Sequence, residues 1–254
     1  MIDKVPSPNR GVRVAQMNRQ ASLMTYRQCL AFLAAVVGGF SCSAERAGAT
    51  QSVEECPGAI SWEREHQNGV NAAHKGGGRN PAISEAALLE DLRLRVEKDQ
   101  AARKRWLADQ NSAELADAVG SIDTENVAWL RKLISEKGFP TAAQVGNEGV
   151  HYAWVLLQHA DQDPKFQSDL LPVLEQRFSA GELPANDLAR FTDRVLMASG
   201  KSQRYGTQFD WFAGEFALPE ADKLIKIDAA RAQLGLMPLV DYVCTIRKAR
   251  NAVK

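Results

Sequence analysis

Glu148, His151, Tyr152, His159 and Gln162 fall on one side when the segment from Glu148 to Gln162 is plotted at about 100° per residue. Val150, Ala153, Trp154, Leu156, Leu157 and Ala160 form the apolar arc opposite, interrupted on the polar side only by Val155. One face of this helix carries a carboxylate, two imidazoles and a phenol. An imidazole so placed is a candidate general base, and Glu148 with His151, at i and i+3, is a candidate pair of metal ligands. Di-iron bundles use that Glu-x-x-His pair twice and add further carboxylates. No second copy is recognised, so neither a metal nor a cofactor is expected. The alternative is that polar residues opposite an apolar arc simply face water.

A second group comprises Asp187, Arg190, Asp193 and Arg194, whose i+3 and i+4 spacings fit a salt-bridge ladder on an exposed helix face. The connection after that helix reads Lys201-Ser-Gln-Arg-Tyr-Gly-Thr-Gln208. Loops with such polar and glycine residues often carry binding groups, while Gln and Thr side chains also satisfy helix ends; both readings stay open.

The elements that position these residues are helices. Ser84 caps a pattern reaching Ala108, with Leu88, Leu89, Leu92, Val96 and Trp106 as a narrow stripe. Glu90, Asp91, Arg93, Arg95, Glu97, Lys98, Arg103, Lys104 and Arg105 read as its solvated face. Further helices are predicted over Asp123–Lys137, closed by Gly138, and over Glu148–Gln162. Thr141 caps a short turn between them. Asp163-Pro164 opens a fourth helix, and Pro172 predicts a kink or break near Leu171. Pro184–Ser199, Pro219–Leu234 and Pro238–Val253 complete the set. No alternating run long enough for a strand occurs, so the fold class is all-α: an irregular bundle of about seven helices over residues 84–254, behind a disordered N-terminal segment.

Residues 50–83, with Gly69, Gly76-Gly77-Gly78 and Pro81, read as a flexible linker. The triple glycine lacks the Lys-Ser/Thr pair and preceding strand of a phosphate loop. Residues 1–49 read as an N-terminal extension and signal peptide, with Arg19 and Arg27 before the apolar run Cys29–Ala44; Met17 and Met24 are alternative starts. The run is shorter than the roughly 20 apolar residues a membrane span needs. Ala47-Gly48-Ala49 suits cleavage before Thr50, whereas Gly39-Phe40-Ser41-Cys42 resembles a lipidation box on Cys42; a chain that is not exported is the third alternative. Cleavage leaves Cys56 and Cys244 in a compartment where disulfides persist. A bridge between them would tie the mature N-terminus to the last helix, and two free thiols are the alternative. The 31 basic and 31 acidic residues cancel without long single-sign blocks, which gives nucleic acid no electrostatic footprint.

The blocks Gly138-Phe-Pro-Thr141 with Val145-Gly146, Gln158-His-Ala-Asp161, Thr192-Asp-Arg194 and Gln203-Arg-Tyr-Gly-Thr-Gln208 together resemble a bacterial family of helical domains of unknown function. Asp228, Arg231, Gly235-Leu236 and Pro238-Leu239 resemble its C-terminal block. The likeness spans about Val127 to Tyr242, and Phe139 stands where that family often has Trp. The resemblance implies an all-helical domain without an established activity, and it marks His159, Asp161, Asp193, Arg194, Gln203, Tyr205 and Gln208.

Two functional readings follow. One is an exported binding or interaction module of the cell envelope, facing a protein, peptide, glycan or small molecule, with Gln158, Gln203, Thr207 and Gln208 as binding candidates. The other is a hydrolase or transferase in which His159 or Asp161 is the base, and Arg194 with Tyr205, beside Asp193, holds a polar or anionic substrate. The second requires those side chains to converge in one concave site.

Overall fold

The computed structural model describes residues 56–75, 83–209 and 217–252. Among them are eight helices and no strand. The segment read as a signal peptide, Cys42 and the triple glycine lie outside the described residues.

Helix α1 (Pro57–Lys75) occupies part of the stretch read as a linker. It packs on α8 (Leu239–Ala252), and a disulfide joins Cys56 to Cys244 with Cα atoms 5.8 Å apart. Gly58 permits this approach: a Cβ there would lie 2.0 Å from Asp241 Oδ1.

Helix α2 (Ala86–Ala108) starts after Glu85 rather than Ser84. Ser84 and Glu85 instead donate their amides to the carbonyls of Ala143 and Gln144, at 3.2 and 2.9 Å, fixing α2 to the start of α4. Helix α3 (Ala113–Lys137) begins ten residues before the predicted start, because the Ser112 hydroxyl accepts the Leu115 amide and caps it. Helix α4 (Ala142–Gln158) opens with a capping box between Thr141 and Gln144 and bends at Gly146, whose φ of 70° no other residue type adopts cheaply. A Cβ at Gly149 would lie 3.1 Å from Leu89 Cδ1, so that glycine lets α2 cross α4 closely.

Helix α5 (Pro164–Ser179) follows the Asp163 cap and runs through Pro172 without the predicted break. Pro172 and Ser168 are both exposed, so the carbonyl that Pro172 cannot bond is free to meet water. Helices α6 (Ala185–Ala198), α7 (Ala221–Gln233) and α8 match their predicted spans to within two residues at each end.

Helix α4 is the axis of the main core. Val150, Ala153, Trp154, Leu156 and Leu157 meet Leu92 and Val96 of α2, Leu130 and Leu133 of α3, Leu170 and Leu174 of α5, and Phe191 of α6. A second core around Leu239, Tyr242, Val243 and Ile246 joins α7 to α8. Between the two, Ala189, Tyr205 and Leu236 form a small apolar bridge.

Candidate functional site

In α2 the core phase continues past Val96 into Asp99, Arg103 and Trp106; in α3 it runs Val119, Asp123, Asn126, Leu130, Leu133. Three charged side chains are thereby carried inside. Arg103 Nε donates to Asp99 Oδ1 at 3.0 Å, and its Nη2 donates to Asp123 Oδ1. His159, at the end of α4, closes the group through Nδ1, 3.1 Å from Asp99 Oδ2, and is only 3% exposed. Burial pushes the Asp99 carboxyl up, but the adjacent His159 and Arg103 outweigh it and hold Asp99 well below the usual range. The water-facing alternative for His159 is thus corrected, and so is the solvated reading of Arg103. Asp99, Asp123 and His159 offer ligand atoms within 4.8 Å of one another, a separation a cation could span. Arg103 already fills that cationic position, so the donor set does not suit a metal. The arrangement is a buried charge network that locks α2, α3 and the end of α4 together.

Asp161, two residues on, pairs with Arg194 of α6 at 2.7 Å. Gln167 of α5 donates to Asp161 at 3.4 Å and to the carbonyls of Leu157 and Gln158 at 3.2 and 3.1 Å, capping the final turn of α4. Gln158 is buried and enters this lock through its carbonyl.

Asp193, with no exposed surface, organises the loop after α6. Its carboxylate accepts the amides of Arg204, Tyr205 and Thr207 at 2.6, 3.0 and 2.9 Å and the Thr207 hydroxyl at 2.8 Å. Burial wins over these bonds and raises its pKa. Gln203 and Gln208 exchange side-chain and backbone bonds of 2.8 Å, and Gln208 also donates to the Arg190 carbonyl at 3.1 Å. Arg231 of α7, 1% exposed, donates to the carbonyls of Tyr205 and Met237 at 2.8 and 2.6 Å and lies 4.6 Å from the Tyr242 ring. Asp228 accepts the Leu239 amide at 2.7 Å, at the start of α8. The loop and α7–α8 are therefore buckled to α6 by one carboxylate and one guanidinium.

The residues marked from sequence sort into separate locks. Asp161 meets Arg194, Asp193 meets Tyr205 and Thr207, and the hydrogen bonds of His159 run to Asp99 instead. The surface ladder on α6 is also corrected: Asp187 reaches His151 of α4, its Oδ2 2.8 Å from Nδ1. That ring stacks on Trp154 at 5.3 Å and remains 38% exposed. Glu148 accepts the Tyr152 hydroxyl, and burial together with that bond pushes the Tyr152 pKa up to about 12. Glu148 and His151 thus have separate partners and form no ligand pair. A second Glu-x-x-His pair, Glu63 with His66, escaped the sequence reading. It lies on α1, where His66 Nδ1 meets the Trp62 carbonyl at 2.8 Å.

One open feature had no place in the sequence reading. A groove of about 500 Å³ runs between the first turns of α2 and the second half of α3, with Leu88 and Leu133 at its floor and Trp129 alongside. Its sequence signal is faint, because Trp129 merges into the apolar stripe of α3.

Among the described residues, fold and locks define an all-helical domain with a disulfide clasp between its first and last helices and with buried ion pairs joining its elements. The chain belongs to the family of unknown function DUF6624, which it matches over residues 86–253. That span begins with α2, so the family domain includes the long charged helix and extends beyond the likeness read from about Val127 to Tyr242. No curated protein and no solved structure matches the chain.

Proposed function

We propose that the chain is an exported binding or interaction module of the cell envelope and that the groove between α2 and α3 is its recognition surface. One observation carries this reading. Among the side chains proposed for catalysis, Asp161 pairs with Arg194, Asp193 holds the amides of the following loop and His159 meets Asp99 through Nδ1, while the groove is open and lined by both apolar and charged groups. The disulfide between Cys56 and Cys244 supports export, since such bonds persist in oxidising compartments. No helix among the described residues is long and apolar enough to cross a membrane. The test is to fractionate cells expressing the full gene and to read the N-terminus of the product by mass spectrometry. Export predicts a chain starting at Thr50, or at a lipidated Cys42; a cytoplasmic chain retaining its leader rejects the reading.

A second reading, a hydrolase or transferase, draws on His151. Buried Asp187 and the Trp154 ring hold the imidazole in place, and with Nδ1 engaged, Nε2 is left for proton transfer. Turnover of p-nitrophenyl acetate by the parent, at equal rates in His151→Ala and Asp187→Asn, would exclude this dyad as the source of that activity.

A further inference from the structure

We infer that the bridge between Cys56 and Cys244 is a redox switch: oxidised, it docks α1 on α8, and reduced, it frees α1 while the family domain stays folded. The switch is separate from the groove and rests on the export reading only for its oxidising compartment. Helix α1 lies outside the family span of 86–253 and packs chiefly on α8. Of its residues through His66, only Ala59 is buried; Gly58 and Trp62 are half-buried and the rest are exposed. The side-chain hydrogen bonds of this stretch stay within the helix, with Ser61 donating to Glu65 at 3.3 Å and His66 Nδ1 meeting the Trp62 carbonyl at 2.8 Å. So little buried apolar surface holds α1 weakly, and an isolated helix of its length is marginal in water. The covalent bond is therefore its main attachment. The core that joins α7 to α8 is built on Leu239, Tyr242, Val243 and Ile246 and needs neither cysteine.

The placement of the two cysteines suits opening by an external dithiol. Cys56 stands immediately before the first residue of α1, and its carbonyl accepts the Ile60 amide at 3.0 Å, which puts it at the positive end of the helix. A thiolate departing there is stabilised, so Cys56 is the leaving group. Cys244 is half-buried whereas Cys56 is 5% exposed, so the attacking thiolate meets Cys244 Sγ. The attack forms a mixed disulfide and expels the Cys56 thiolate, which takes up a proton. The second thiol of the reductant then displaces Cys244, leaving two cysteine thiols and an oxidised dithiol: two electrons pass to the bridge. The consequence is a change of reach. Oxidised, the N-terminal chain is held at Cys56 on α8; reduced, its first fixed points are Ser84 and Glu85, whose amides bond the Ala143 and Gln144 carbonyls. The chain between Cys56 and Ser84 spans at most roughly 90 Å when extended, so reduction lets the domain move farther from whatever holds its N-terminal end.

The experiment is hydrogen–deuterium exchange of the full, disulfide-bonded chain without denaturant, before and after dithiothreitol and again after reoxidation with glutathione disulfide. The expected result is exchange at least about tenfold faster in α1 on reduction, with Leu156, Leu157, Phe191 and Val243 changed less than about threefold. Reoxidation should restore the protection of α1. Cys56→Ser/Cys244→Ser should show the fast exchange of α1 from the start and no response to dithiothreitol. If α1 stays protected in both the reduced chain and the double variant, its packing suffices and the switch is overturned. If the core loses protection together with α1, the bridge is a staple of the whole domain, which also overturns it. A bridge that dithiothreitol opens only in denaturant overturns it as well. These results are read on purified protein and leave the export reading to cell fractionation, so the two fail separately.

Discussion

Replacing Asp193 by Ala tests whether the loop after α6 is held in place or merely lies there. The carboxylate serves four donors: the amides of Arg204, Tyr205 and Thr207, and the Thr207 hydroxyl. Arg204 is exposed and its amide can recover a water, and the hydroxyl can rotate. The amides of Tyr205 and Thr207 belong to buried residues and have no such escape. Stranding a buried donor costs about 2 kcal/mol, so the two give about 4 kcal/mol. Removing a carboxylate whose pKa burial raises returns part of this, leaving a net loss of about 3 kcal/mol. Chemical denaturation in urea, with a slope of about 2 kcal/mol/M, would show a midpoint lower by about 1.5 M. Thermal unfolding would show Tm lower by about 6–12 °C. Thr207→Val, which removes only the hydroxyl donor, should cost about 1 kcal/mol. A folded Asp193→Ala variant within about 1 kcal/mol of the parent would refute the claim that this side chain buckles α7–α8 to α6.

Other locks make equally definite predictions. Arg103→Met leaves Asp99 and Asp123 facing each other in the core and should cost about 3–5 kcal/mol in urea unfolding, with Asp99→Asn/Arg103→Met/Asp123→Asn recovering part of the loss. Asp99 is depressed in the folded state, so its contribution is complete above its unfolded value of 3.8 and is lost as pH falls further toward its folded value. Asp193 acts with the opposite sign, its penalty easing as it protonates. In an acid titration of stability, Asp99→Asn should therefore flatten the loss below pH 3.8, and an unchanged profile would contradict the network. Gly206→Ala combines a φ of 66° with a Cβ 2.9 Å from Leu239 Cδ2, and should lower stability by about 1–3 kcal/mol. Gly138→Ala, at φ 78° and ψ 178°, a region adopted essentially by glycine alone, should cost about 2–3 kcal/mol by the same thermal measurement through backbone strain, since nothing lies within 4 Å. Cys56→Ser should release α1 from α8, exposing Arg64 to trypsin under conditions where the disulfide-bonded chain resists cleavage.

The sequence by itself determined the fold class and most helix positions, because caps, prolines and the 3.6-residue apolar period are local. Ser84–Ala108, Pro184–Ser199 and Pro238–Val253 could be placed from those cues alone. The identity of the polar residues that hold the domain together was only half legible. Asp99, Arg103 and Asp123 keep the phase of the buried stripes of α2 and α3, a signal available in the sequence but indistinguishable there from a solvated position one step around the helix. Their burial depends on charges brought together from residues 20 and 60 positions apart, and no local pattern encodes that pairing. The Gln203–Gln208 loop had the composition of a binding loop; only the three-dimensional arrangement decided that its amides point at Asp193 and its carbonyl at Arg231. The groove is likewise a product of tertiary structure, since its lining comes from both α2 and α3 and belongs to neither helix alone.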